Sequence, residues 1–239
     1  MKCLELSFAD PAQNLACDEA LLDACEKDSD EGVLRIWEPQ TYFVVLGYSN
    51  RVDKEVNVSA CRENGIPIFR RFSGGGAVLQ GPGCLNYTIV LKNPHAGGIG
   101  DIGEAYMRVL KRHQICFQRL LGEKVQIEGI SDLAIGGQKF SGNAQHRRQH
   151  HVLVHGSFLI SLNLALIEAC LRIPSRQPPY RGNRSHETFL RNLYIDNEMI
   201  RGGLKEEWRI DCQLHEIPYL EIDELVKKRY AQFSWNQKF

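Results

Sequence analysis

Residues 70–91 read RRFSGGGAVLQGPGCLNYTIVL, with two arginines directly before three consecutive glycines. Strand-like runs flank the glycines, IPIFRRFS leading in and CLNYTIVL (84–91) leading out. Nucleotide-binding loops of the Rossmann or Walker type open a helix. A glycine loop set between two strands argues against both folds. Glycines let a ligand approach the main-chain amides, which in such a turn converge on an anion, and they permit positive φ. The planar donor fork of arginine suits phosphate or carboxylate. The pattern fits a polyanion such as a nucleotide phosphate held at Gly74, Gly75 and Gly76. It also fits a tight hairpin with Arg70 and Arg71 turned to solvent.

The rest of the chain reads as short strands with few long helices. NLACDEALLDACEK (14–27) has helical spacing, with Asn14 as its N-cap. VLRIW (33–37) and YFVVLG (42–47) read as strands joined by EPQT, and NVSACREN (57–64) as a short helix stopped by Gly65. HAGGIGD (95–101) reads as a connector. EAYMRVLKRHQICFQRLL (104–121) is the strongest helix, with Met107, Leu110, Gln114, Phe117 and Leu121 near one face. KVQIE and DLAIGGQKFSG are short strands, the latter turning at Gly136–Gly137, and HVLVHGSFLIS is a longer one. Residues 162–171 read as a short helix and 173–186 as an irregular loop; Ser185 caps the next helix, and the tail holds a strand, EEWRIDC, and a last helix, DELVKKRYAQF. Short connections and many strands favour an α+β fold with a mixed sheet over repeated βαβ units. No repeat or linker interrupts the chain, so a single domain over 1–239 is expected.

Lys+Arg and Asp+Glu balance at 29 each, so no overall field draws the chain to nucleic acid or a membrane, and an anion site must be local. The first residues lack a signal-peptide core, and no run is long enough to span a membrane. The cysteines at 3, 17, 25, 61, 84, 116, 170 and 212 form no CxxC pair, which points to reduced thiols in a cytoplasmic protein.

A second stretch, DLAIGGQKFSGNAQHRRQHHVLVHG (132–156), sets Lys139 beside the small residues Ser141–Gly142–Asn143–Ala144. An ammonium there can neutralise charge developing on a phosphoryl or carbonyl oxygen, or be a solvated surface lysine. His146, His150, His151 and His155 cluster with Arg147 and Arg148, but no carboxylate lies between Asp132 and Glu168. This favours a basic, partly mobile loop over a metal centre.

Together the stretches resemble the lipoate–protein ligase family, within the biotin/lipoate ligase and octanoyltransferase superfamily. RRFSGGGAV is similar to its first motif and GGQKFSGNAQ followed by HGSFL to its second; NLACDEALL and LRIWEPQTYFVVLGYSNRVDKEVN resemble its first helix and early strands. The resemblance implies a class II aminoacyl-tRNA synthetase/biotin synthetase-like fold with a largely antiparallel sheet and packed helices. It implies ATP-dependent activation of lipoate or octanoate to acyl-AMP, then transfer to a lysine of a lipoyl domain. That domain would belong to a 2-oxoacid dehydrogenase E2 or to a glycine cleavage H-like protein. Arg71, Ser73, Gly74, Gly75, Gly76, Ala77, Val78, Leu79 and Gly142 would hold the adenylate, and Lys139 would bridge its carbonyl oxygen and phosphate. Trp37, Gly47, Asn86 and His155 would line an apolar acyl slot, and Asp132 is a candidate Mg2+ ligand.

The sequence departs from the family where Leu79–Gln80–Gly81 replaces an aromatic residue followed by His-Asp. The chain is also short for the extra C-terminal domain of some ligases, which raises the need for an accessory subunit. Two rival functions stand beside the ligase. One is an ATP-independent octanoyltransferase that passes octanoate from acyl carrier protein through a cysteine. Before Lys139 the segment GISDLAIGGQ has no cysteine, which leaves Cys84 as that rival's best residue. The other is a non-catalytic relative that binds an acyl group or nucleotide.

Overall fold

The computed structural model describes residues 1–28, 32–93, 102–174 and 176–239. The connector expected at 95–101 lies outside them. An eight-stranded sheet forms the frame. Its strands are β1 (Lys2–Glu5), β2 (Val33–Trp37), β6 (Cys84–Lys92), β7 (Gln126–Glu128), β8 (Asp132–Ile135), β9 (Gln138–Arg147), β10 (His151–Leu159) and β11 (Cys212–Gln213), in the order β11-β1-β2-β6-β10-β9-β8-β7. Only β11–β1 and β1–β2 pair in parallel; the other pairs are antiparallel. A small sheet sets β3 (Phe43–Leu46) between β4 (Ile68–Arg70) and β5 (Val78–Gln80). The fold is α+β with a mixed, largely antiparallel sheet, as the sequence implied.

The pleat of β6 sorts its side chains. Leu85, Tyr87, Ile89 and Leu91 pack in one core with Tyr106, Val109, Leu110 and Phe117 of α4 (Ile102–Leu121) and Ile200 and Leu204 of α7 (Asn197–Glu207). Asn86, Thr88 and Val90 take the opposite face, where Val90 joins the core around α1 (Pro11–Asp28). A third core fills the space between the small sheet and the short helices α2 (Val52–Glu55), α3 (Val58–Glu63) and α5 (Leu164–Cys170). α6 (His186–Phe189), α8 (Tyr219–Leu225) and α9 (Phe233–Asn236) are the remaining α-helices among the described residues, and Pro179–Arg181 forms a 3-10 turn.

Several local expectations change. α1 starts at Pro11, so Asn14 lies inside the helix, where its side chain bonds the Phe8 main chain and Arg35. β2 and β3 are consecutive but belong to different sheets. The buried face of α4 is Ala105, Tyr106, Val109, Leu110, His113, Cys116 and Phe117, with Met107 exposed. EEWRIDC is no strand: its start closes α7, a helix that Gly202–Gly203 hid, and only Cys212–Gln213 pairs. Gly203 is needed there, since a Cβ would stand 2.9 Å from the Cys116 Sγ of α4. The final helix divides into α8, a wider turn over Val226–Tyr230, and α9.

Candidate functional site

The glycine loop lies wholly beside the small sheet. β4 ends at Arg70 and β5 begins at Val78, so the strand leaving the loop is β5, not the Cys84 strand. Neither arginine faces solvent. Arg70 donates to the carbonyls of Gly47, Tyr48 and Asn50, and of Trp235 and Asn236 near the C-terminus, so it ties the tail beneath the loop. Arg71 donates to the carbonyls of Val45, Gly74 and Gly76 and to Ser73 Oγ, which folds the loop around its own guanidinium. Burial pulls the Arg71 pKa down to about 10. Among the described residues no carboxylate pairs with it. A buried cation held only by neutral oxygens favours an anionic ligand.

Two rows of cross-strand neighbours make the floor. One runs Trp37, Asn86, Ser157, Gly142, Asp132 across β2, β6, β10, β9 and β8. The next runs Arg35, Thr88, His155, Ala144. In the second row, His155 Nε2 stands 2.7 Å from Ser73 Oγ and Nδ1 stands 3.0 Å from Asp18 Oδ2. Asp18 pairs with Arg35 at 2.6 Å. Burial alone would raise the Asp18 carboxyl, but Arg35 and the hydrogen bond from His155 hold it below its ordinary range.

Lys139 follows a β8–β9 turn in which Gly136 and Gly137 both have positive φ (58° and 75°). Its ammonium stands 2.8 Å from Asp132 Oδ1 and over Gly142, where a Cβ would come within 2.6 Å of Nζ. The Tyr180 hydroxyl donates to Asp132 Oδ2 at 2.8 Å. Both oxygens of Asp132 are therefore engaged. Among the described residues no group of three or more His, Cys, Asp or Glu is placed to hold a metal. Mg2+ is ordinarily held by one or two carboxylates together with the phosphates of a nucleotide.

One cavity of about 540 Å3 joins these parts. Arg71, Gly75, Gly76, Ala77, Val78 and Leu79 line it from the loop. Trp37, Asn86, His155, Gly142, Asp132 and Lys139 line it from the main sheet. Ser73, Gly74 and Gly47 do not. Ser73 and Gly74 hold His155 and Arg71 instead. Gly47, expected in the acyl slot, sits behind the loop, where a Cβ would come within 2.0 Å of the Gly75 carbonyl oxygen. Nor is the slot wholly apolar: Trp37 Nε1, Gln80 Oε1 and both amide atoms of Asn86 are buried there without partners.

Sequence reasoning missed much of the wall. Gln80 donates to Ser157 Oγ at 2.7 Å in the segment noted only as a departure. Asp18 comes from α1, Arg172 follows the short helix read at 162–171, Arg176 and Arg181 come from the segment read as irregular loop, and Phe189 comes from the helix capped by Ser185. His146, His151 and His155 lie on β9 and β10, with Arg148 and His150 in the bend between those strands, and the cluster's carboxylates come from α1. Glu26 accepts from the His150 and His151 amides, and Asp23 pairs with Arg148 at 2.9 Å. None of the eight cysteines lines the cavity. Cys84 is buried, and that burial pushes its thiol up to about 12.

A family model described as the lipoyl protein ligase A/B catalytic domain matches residues 10–197. The chain belongs to that family. This lipoyl protein ligase A/B member is 25% identical over 247 residues to the lipoate-protein ligase LplJ of Bacillus subtilis, covering 95% of this chain and 70% of the relative. It is 31% identical over 195 residues to the octanoyltransferase LipM of Moorella thermoacetica, covering 73% of this chain and 70% of the relative. Its relatives thus include both ligases and octanoyltransferases. A bi-partite lipoate protein ligase of Thermoplasma acidophilum, solved with its E2 lipoyl domain, matches with a TM-score of 0.83 at 24% identity, covering 99% of this chain and 95% of that one. A lipoate-protein ligase A bound with ATP matches with a TM-score of 0.82 at 24% identity, covering 99% and 98%. These likenesses bear on the fold. Among the described residues no helix is long and apolar enough to cross a membrane.

Proposed function

We propose that this family member is an ATP-dependent lipoate–protein ligase. The observation that carries the reading is that Arg71 and Lys139, with three further arginines, line one cavity that no cysteine lines. A transferase working through a thioester needs a thiol there, whereas acyl-adenylate chemistry needs fixed positive charge around phosphate.

In the first step a carboxylate oxygen of the acid bonds to the α-phosphorus of ATP, and the bond to the leaving pyrophosphate breaks. The amides at Gly75–Val78 and the Arg71 guanidinium stabilise charge on the phosphate oxygens. In the second step a lysine amine of a lipoyl domain bonds to the acyl carbon and AMP leaves. The Lys139 ammonium bridges the carbonyl oxygen and phosphate and stabilises the oxyanion as it forms. The protein acts by positioning and fixed charge. The acyl chain runs along the floor from Gly142 toward Trp37, a span of roughly 14 Å at normal strand spacing. Residues 1–239 serve as one catalytic domain in this reading, with a lipoyl domain as acceptor.

Pyrophosphate release tests the proposal. It should require ATP and lipoate or octanoate together, and the Cys84→Ala protein should release it at an unchanged rate. Acyl transfer from octanoyl carrier protein without ATP, lost in Cys84→Ala, would replace this reading with the transferase.

A further inference from the structure

Among the described residues, the segment after α5 is stitched to the lysine hairpin at four points. Tyr180 donates to Asp132 Oδ2 at 2.8 Å, Arg184 to the Gly137 carbonyl at 2.9 Å, Gln138 to the Thr188 carbonyl at 3.4 Å, and the Arg191 amide to the Lys139 carbonyl at 2.9 Å. Three of these contacts end on hairpin or segment backbone. Among the described residues only Tyr180 reaches a side chain that itself touches the Lys139 ammonium. Its ring packs against Phe189 with centroids 5.1 Å apart, which aims the hydroxyl.

We propose that Tyr180 is a positioning residue for Lys139, acting through Asp132. This rests on the reading of Lys139 as the group that serves acyl activation. Asp132 Oδ1 takes the ammonium, and its carboxylate plane would be free to swing if Oδ2 were unbound. Held at both oxygens, it presents the ammonium at one place above Gly142. Burial and the Asp132 charge push the Tyr180 phenol far up, so it remains a donor throughout the working range of pH.

A double-mutant cycle with Tyr180→Phe and Asp132→Asn tests this, because Tyr180→Phe removes the hydroxyl and keeps the ring. Tyr180→Phe should lower kcat for pyrophosphate release about ten-fold, with KM for the acid changed less than about two-fold. In the Asp132→Asn background the same change should cost less than about two-fold. An unchanged kcat, or the same loss in both backgrounds, overturns the proposal. The nitrogen resonance of the Lys139 ammonium, assigned with Lys139→Arg, gives a readout independent of turnover. It should shift in Tyr180→Phe, and an unmoved resonance also overturns the proposal. A wild-type protein that releases no pyrophosphate fails the functional reading instead, and the resonance still decides the positioning role.

Discussion

Ser73 Oγ lies 2.7 Å from Nε2 of His155, and this contact joins the glycine loop to the floor of the main sheet. The other ring nitrogen, Nδ1, stands 3.0 Å from Asp18 Oδ2, and the Ser73 oxygen accepts from Arg71 Nε at 3.1 Å. The loop that faces the ligand therefore stands on a buried line of polar groups ending at the Asp18–Arg35 pair.

Breaking that pair should unfold the protein more readily than removing a surface charge. Arg35 is fully buried, and Asp18→Ala would leave it without a counter-charge. The expected loss is about 3–5 kcal/mol in denaturant melts. Because Asp18 titrates below its ordinary value in the folded state, its contribution is present above the unfolded carboxyl pKa near 3.8 and fades as pH falls through the lower folded value.

Gly142→Ala separates the seat of the lysine from the fold. Its new Cβ would crowd the flexible end of Lys139, at 2.6 Å from Nζ, and touch Asp132 Oδ1 at an ordinary 3.9 Å. The melting temperature should stay within about 2 °C while kcat drops at least about ten-fold. Lys139→Ala should abolish acyl transfer while the protein still folds, since Asp132 keeps its hydrogen bond from Tyr180. An active Lys139→Ala enzyme would remove its assigned role.

Asn86 carries two unpartnered amide atoms on the cavity wall. Replacing a buried, unsatisfied polar group by an apolar one of similar shape is close to neutral for folding. Asn86→Leu should hold or raise the melting temperature and weaken ligand binding, seen as a higher KM in pyrophosphate release. A protein less stable by more than about 2 kcal/mol with unaltered KM would mean that Asn86 is satisfied within the fold.

His113 sets an acid limit on stability. It accepts from Trp208 Nε1 at 3.1 Å, and burial pulls its pKa down from 6.5 to about 3. The unfolded chain binds a proton at this residue between those values and the folded chain does not. Stability is therefore lost as pH falls from 6.5 toward 3, by up to about 1.4 kcal/mol per unit from this residue. His113→Gln, which keeps an acceptor for Trp208, should flatten chemical-denaturation stability plotted over pH 4–6.5; an unchanged slope would show that His113 titrates normally.

Local signals carried far through the first 165 residues. Gly75 within the triplet and the double-glycine turn before Lys139 mark positive φ that few residues adopt, and the caps of the short helices mark side chains that accept from first-turn amides, so sequence reveals them. Sheet membership was hidden, because Trp37 and Phe43 lie on consecutive strands of different sheets and nothing local records the partner. The same limit concealed the carboxylates Asp18, Asp23 and Glu26, which reach the histidine strands across more than a hundred residues. Tyr180 was invisible for a related reason: its segment has no periodicity, and its role exists only through a contact with Asp132.

The most direct test is mass spectrometry of the protein incubated with ATP, magnesium and lipoate, before and after an apo lipoyl domain is added. The account predicts enzyme-bound lipoyl-AMP first, then its conversion to AMP and a lipoylated domain lysine. Absence of the adenylate, with the domain instead acylated from an acyl carrier protein in the absence of ATP, would contradict it.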